Sequence, residues 1–254
     1  MLLEKFKNKY LIKGTLIALS PIHIGAGNKD FDPLQVDNTV IRDVYGNPYI
    51  PGSSLKGVLR SFMEALINSG IYSNFKTCII IDKPCISNKY VNELKVKYPR
   101  NNEERDKKIA IDIYKKMCDV CKIFGCNFFA SKLKISDCTL KDEKAYIEKR
   151  DGVVIDRDSG TSLNGRKYDF EQVAMGTKFN FNMVIDNLDD DHEELLKIII
   201  KVLENGDLQI GGKTSVGLGK IKLEDMESYK ITKENLKEYL LSGLKDEMRW
   251  KNVQ

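Results

Sequence analysis

Histidine is nearly absent from this chain, with two in 254 residues, His23 and His192. A nuclease working through a histidine acid–base pair would need both. Nothing in the sequence brings them together, and His192, in DDDHEELL, reads as a helix N-terminal residue. Long apolar runs are lacking too. The longest falls far short of the ~20 residues of a membrane span, so no membrane partner is expected. The opening MLLEKFKNKYLIKG is too charged for a secretory signal, and a cytoplasmic location follows by default. No internal repeat or low-complexity tract divides the chain, which is read as a single domain over 1–254. Charge is close to balanced, 41 Lys and Arg against 37 Asp and Glu, for a net +4. That balance alone does not imply a nucleic-acid partner.

A nucleotide loop is also missing. The segment GGKTSVGLGK, residues 211–220, holds four glycines and two lysines. A Walker A reading of Gly212-Lys213-Thr214 needs glycine at position 207, which is Asp207, and Gly206 is one residue out of register. A strand-like run, GLGKIKLED, follows where that motif needs a helix. What remains is a glycine turn that another backbone can approach closely, with lysines that suit a phosphate chain.

The six cysteines carry no secretory context, so disulfides are not expected. Cys118 and Cys121 form a CxxC, Cys126 follows, and Cys78 and Cys85 lie upstream across a charged insertion. A CxxC turn presents two sulfurs to one ion, and structural Zn2+ takes four. The expected set is Cys118, Cys121 and Cys126 with Cys85 as the fourth ligand, or Cys78 in its place. A thioredoxin-like redox site lacks its βαβ context. Cys138, in an alternating strand pattern, is a core residue.

Periodicity sets out the elements. Residues 9–19 alternate as a strand, and 20–38 form an irregular Gly-, Asn- and Asp-rich loop. A short strand covers 39–43 and a turn 45–48. A helix begins at Pro51–Ser54, capped by Ser53 or Ser54, with the stripe Leu55, Val58, Leu59, Phe62 and Leu66 and a stop at Gly70. Residues 71–130 read as an insertion with a helix near 103–117. Strands follow at 132–140 and 144–148, an extended arm at 150–172 and a strand at 177–186. A helix covers 190–204, short strands 208–210 and 216–224, and a last helix 232–243 with Thr232 as its cap. The fold class is α+β, and the order matches a ferredoxin-like (RRM-like) βαββαβ core with two excursions, the cysteine-bearing insertion and the arm.

Several segments together resemble the Cas7 group of RAMP proteins, the backbone subunits of type III CRISPR effector complexes, close to the Csm3-like branch. They are Leu19 to Gly27 (LSPIHIGAG), Tyr49 to Arg60 (YIPGSSLKGVLR), Cys121 to Gly125 (CKIFG), Arg150 to Arg157 with Glu171 beyond, and Gly211 to Gly219. They span most of the chain in the family's order.

The resemblance implies a filament of such subunits along a guide (crRNA), with complementary target RNA and Cas10-, Cas5- and Cas11-like subunits as further partners. It implies guide contacts from His23, Gly25, Gly27, Ser53, Ser54, Lys56, Arg60, Arg150, Arg157, Gly211, Gly212, Lys213, Gly217 and Gly219. The arm becomes a thumb-like β-hairpin that kinks the guide–target duplex. Active members are endoribonucleases using an aspartate after the first strand, here Asp37, with Mg2+ or another divalent ion. Asp30 and Asp32 lie nearby, and Asp43 belongs to the following turn. Two other readings stay open: a structural guide-binding subunit without cleavage, and a Cas6-type guide-processing nuclease, disfavoured by the 51–60 segment and the CxxC insertion.

Overall fold

The computed structural model describes residues 5–26, 38–99 and 104–250. Their elements are β1 (Asn8–Ala18), α1 (Gly52–Asn68), α2 (Asn88–Lys97), α3 (Arg105–Lys116), α4 (Asp119–Phe124), β2 (Leu133–Ile135), β3 (Ile147–Ile155), β4 (Ser162–Val173), β5 (Lys178–Asp186), α5 (Glu193–Asn205), β6 (Leu208–Gln209), β7 (Lys220–Thr232) and α6 (Leu236–Ser242). Five strands make one antiparallel sheet in the order β2-β5-β1-β7-β6, and β3 and β4 form a separate two-stranded sheet.

Alternation places the core. In β1, Tyr10, Ile12, Leu16 and Ala18 share one face and are buried; Phe179, Phe181, Met183 and Ile185 do the same in β5. Helices α1 and α5 cover that face. α1 contributes Leu55, Leu59, Met63 and Ile67, while Val58, Phe62 and Leu66 are only half-buried beside them. Each fully buried apolar side chain of this kind contributes roughly 1.5–3 kcal/mol.

The last strand does not stop near 224 as its pattern suggests. It starts at Lys220 and runs to Thr232, past a bulge where Lys13 faces Glu227 but Thr15 faces Glu224. Asp225 sits there at φ 50°. One extra residue inverts the side-chain alternation. Ile221 and Leu223 point into the main core, while Tyr229 and Ile231 join Leu11 and Met248 in a second cluster on the other face. Thr232 therefore ends a strand instead of capping the last helix, whose N-cap is Asn235.

Glu193 opens α5 and ties it to the sheet and the C-terminal segment. Its carboxylate accepts hydrogen bonds from Tyr10 Oη (2.8 Å), Lys230 Nζ (2.7 Å) and Trp250 Nε1 (3.1 Å).

The arm is more regular than expected. Over most of its length it is antiparallel β3–β4 ribbon, paired from Ile147↔Val173 to Ile155↔Ser162. Val153, Val154, Ile155 and Tyr168 are exposed along it. No helix among the described residues is long and apolar enough to cross a membrane.

Candidate nucleic-acid interface and metal centre

Three segments distant in sequence meet at the base of the β3–β4 ribbon. The loop after β1 pairs Ile22 with Val173 and Gly25 with Val40, and Asn38 bridges Phe170. The glycine loop joins β6 to β7 and docks from the other side. Gly212 N–H donates to the His23 carbonyl at 2.8 Å, and Gly219 N–H donates to the Pro21 carbonyl at 2.8 Å. Strand leads to strand through one 3-10 turn at Thr214–Val216, as the missing Walker register requires.

His23 is 7% exposed. Its Nδ1 lies 2.7 Å from the Glu171 carbonyl oxygen. A carbonyl only accepts, so Nδ1 carries the proton and a neutral ring leaves Nε2 as an acceptor. The ring meets Phe170 edge-on, with centroids 5.6 Å apart. The Glu171 carboxylate accepts Val40 N–H at 3.0 Å and Arg42 Nη2 at 2.7 Å. One glutamate thus holds the 38–42 segment, which forms isolated bridges and not the strand expected at 39–43, against β4.

Lys213 stands over this junction in a left-handed conformation, φ 60°. Its Nζ lies 4.2 Å from the Phe170 ring centroid and 4.7 Å from that of Tyr168, a cation–π arrangement that leaves the ammonium available to an anion. Tyr168, Phe170 and Arg42 were not singled out from sequence, although the alternation in YDFEQV places the two rings on one face of β4. Asp37 and Gly27 lie outside the described residues. Asn38, the neighbour of Asp37, is anchored by Glu171 N–H donating to its carbonyl at 2.9 Å. Arg150 and Arg157 lie exposed on the ribbon and the turn at its tip.

The N-terminus of α1 departs from the expected cap. Pro51 is the N-cap and no side chain of Ser53 or Ser54 closes the first turn. Gly52 N–H instead donates to Asp137 Oδ1 at 2.8 Å. The helix approaches β2 so closely that a Cβ on Gly52 would lie 2.2 Å from the Ile135 carbonyl oxygen. Ser53 is exposed and Lys56 half-buried. Burial and the neighbouring Arg60 charge lower the Lys56 pKa. The Arg60 guanidinium turns inward, to Glu64, Gly125 and Cys121.

The cysteines gather into one centre. The Sγ atoms of Cys78, Cys85, Cys118 and Cys121 all lie within 4.8 Å of one another. Cys78 is 3.6 Å from both Cys118 and Cys121. Four sulfurs about 2.3 Å from a tetrahedral Zn2+ would be about 3.8 Å apart, so the donor set fits such an ion. Both upstream cysteines belong to the group, and Cys126, expected as a ligand, falls outside it. Spacing alone favoured Cys126 because it follows the CxxC so closely, but Cys126 pairs with Phe129 in a tight turn. Burial raises the Cys78 thiol to about 12, and the hydrogen bond with Cys118 together with burial raises Cys121. A bound dication would reverse that preference by stabilising thiolates.

His192 is buried and contacts Asp119, the residue after Cys118. Its Nε2 is 2.9 Å from Asp119 Oδ1. Asp119, inside the CxxC, also accepts Lys76 N–H at 2.8 Å and Lys122 Nζ at 3.1 Å.

The sequence model of the RAMP superfamily matches residues 15–222. The CRISPR system Cms endoribonuclease Csm3 of Methanocaldococcus jannaschii is 29% identical over 235 residues, covering 87% of this chain and 81% of its own length. The protein of the same name from Methanothermobacter thermautotrophicus is 24% identical over 252 residues, 88% of this chain and 86% of its own. That from Enterococcus italicus is 26% identical over 234 residues, 85% and 89%.

Proposed function

The chain belongs to the RAMP superfamily, and from that premise we propose that it is a guide-RNA-binding backbone subunit and endoribonuclease of a type III CRISPR effector complex. The observation that carries this reading is the meeting of the 20–26 loop, the glycine loop and the 38–42 segment at the base of the ribbon, around His23 and Phe170, with Asn38, the residue after Asp37 in the sequence, bridged to Phe170. Relatives named as CRISPR endoribonucleases match over most of the chain and support it. Strand order and helix placement support a ferredoxin-like core.

In this reading the guide passes the N-terminus of α1, where Ser53, Ser54 and Lys56 meet phosphates. Gly211, Gly212, Gly217 and Gly219 let the RNA backbone come close. The β3–β4 ribbon acts as the thumb, with Val153, Val154 and Ile155 as its apolar edge and Arg150 and Arg157 beside the RNA. Target sequence is read by base pairing with the guide, and cuts fall about six nucleotides apart, one per subunit. Asp37 would hold Mg2+ at the scissile phosphate, where the ion supplies Lewis-acid stabilisation of phosphoryl charge. Asp37 would also orient the ribose 2′-hydroxyl for in-line attack, and Lys213 places a cation near the reacting strand. Cys78, Cys85, Cys118 and Cys121 hold structural Zn2+. Partners are crRNA, target RNA, further copies of the chain and Cas10-, Cas5- and Cas11-like subunits, in the cytoplasm.

The test is to co-purify the chain with its operon neighbours and a guide, then add labelled complementary RNA and Mg2+. Evenly spaced products, lost in Asp37→Ala with guide still bound, are expected. Retained guide without cutting would make this a structural subunit, and absence of guide would overturn the reading.

A further inference from the structure

Arg60 sits between α1 and the cysteine centre with its side chain 14% exposed. Three of its N–H groups go to three separate acceptors. Nε donates to Glu64 Oε1 at 2.7 Å, one turn along α1. Nη1 donates to the Gly125 carbonyl at 2.8 Å, at the end of α4. Nη2 lies 3.1 Å from Cys121 Sγ. A buried cation is costly unless paired and hydrogen-bonded, and Glu64 supplies that pairing here. A phosphate would have to displace these partners to reach the guanidinium. Lys56, one turn earlier, has no acidic partner among the described residues and is the better placed cation for RNA.

The sulfur end of this network has its own requirement. Four thiolates around a dication leave a net charge of −2, and their sulfurs are stabilised by N–H donors outside the ligand set. Charge-assisted donors do this best. Arg60 provides such a donor to a ligand sulfur, and the same fork fixes the α4 turn that follows Cys121.

We propose that Arg60 is a positioning residue for the metal centre, donating from Nη2 to the Cys121 sulfur and clamping the CxxC helix to α1, and is not a phosphate ligand. The inference rests on reading the four cysteines as a metal site. It joins that site to the helix whose first turn faces the guide, so metal occupancy and the placement of Lys56 are mechanically linked.

The full-length chain can test this with Zn2+ in competition with a chelator and with Co2+ as a spectroscopic probe. Arg60→Gln is expected to weaken Zn2+ binding about 10- to 100-fold. The thiolate-to-Co2+ charge-transfer band should move to lower energy, because a sulfur without its donor gives up electron density more readily. Lys56→Gln should leave both readouts at wild-type values. Arg60→Lys, which keeps the charge and the fold but loses the fork, should shift the band the same way by less. Wild-type Zn2+ affinity and an unshifted band in the Arg60 variants would overturn the proposal. So would loss of guide affinity with a shallower salt dependence while metal binding is unaffected. A wild-type chain that takes up neither ion would instead sink the metal site itself, and the role of Arg60 with it.

Discussion

A Cβ placed on Gly211 would lie 2.2 Å from the carbonyl oxygen of His23. The two residues are locked because that carbonyl already accepts Gly212 N–H at 2.8 Å, and Gly211 has φ +79°. At Gly211 the glycine loop is pressed against the 20–26 loop, backbone to backbone, with no room for a side chain.

Gly211→Ala is therefore expected to cost about 2–4 kcal/mol, from strain at positive φ plus the clash. Gly217 also has positive φ, +92°, but open space around it; Gly217→Ala should cost only about 1–2 kcal/mol. Denaturant unfolding of both variants checks the ordering, and equal losses would show that the backbone contact contributes nothing.

Lys56→Ala should weaken guide-RNA binding across all guide sequences and reduce the slope of log affinity against log salt by about 1. The measurement is a binding titration at several salt concentrations. An unchanged slope would remove the first turns of α1 from the RNA path.

Cys78→Ser should lower bound zinc in the purified protein to well below one equivalent, while Cys126→Ser should keep the wild-type content. Elemental analysis of the two variants decides between the four-sulfur set of the fold and the set that spacing suggested.

Glu193 yields a prediction with pH. Burial works against its ionised form, but hydrogen bonds from Lys230, Tyr10 and Trp250 outweigh that and hold the carboxyl below its usual range. A depressed folded pKa stabilises the protein above the unfolded value of about 4.3, and this is lost as pH falls through the folded pKa. Glu193→Gln should cost about 1–3 kcal/mol at neutral pH. The gap from wild type should close as pH drops below about 4. Unfolding curves at several pH values measure it, and a pH-independent gap would refute the linkage.

Much of the core was legible because one periodicity governed it. The alternation of β1 and β5 picks out residues that are buried, because a strand needs only a local rule plus an apolar partner; of the α1 stripe only Leu55 and Leu59 are buried, and Met63 and Ile67 complete the buried face. The arm shows no strand periodicity because Lys149, Arg150, Asp151 and Gly152 have no buried face, and only the family resemblance implied a hairpin there. Its strands exist through pairing with each other. β7 is longer than its pattern suggests because the bulge at Asp225 inverts its alternation halfway. Two short patterns of opposite phase do not look like one strand.

In the candidate site, a glycine loop, a conspicuous helix start at 51–54 and a CxxC were visible as chemistry. The sequence by itself determined which residue types were available, a cluster of thiolates, a flexible loop with cations and a few acids, because those depend on composition and local spacing. Only the tertiary structure decided which of them meet. It put Cys78 in the centre in place of Cys126, set Arg60 against Cys121 and set Lys213 on Phe170. The physical reason is that these contacts join residues 40 to 61 positions apart. Their distances follow from how the sheet and helices pack, and no local pattern encodes them.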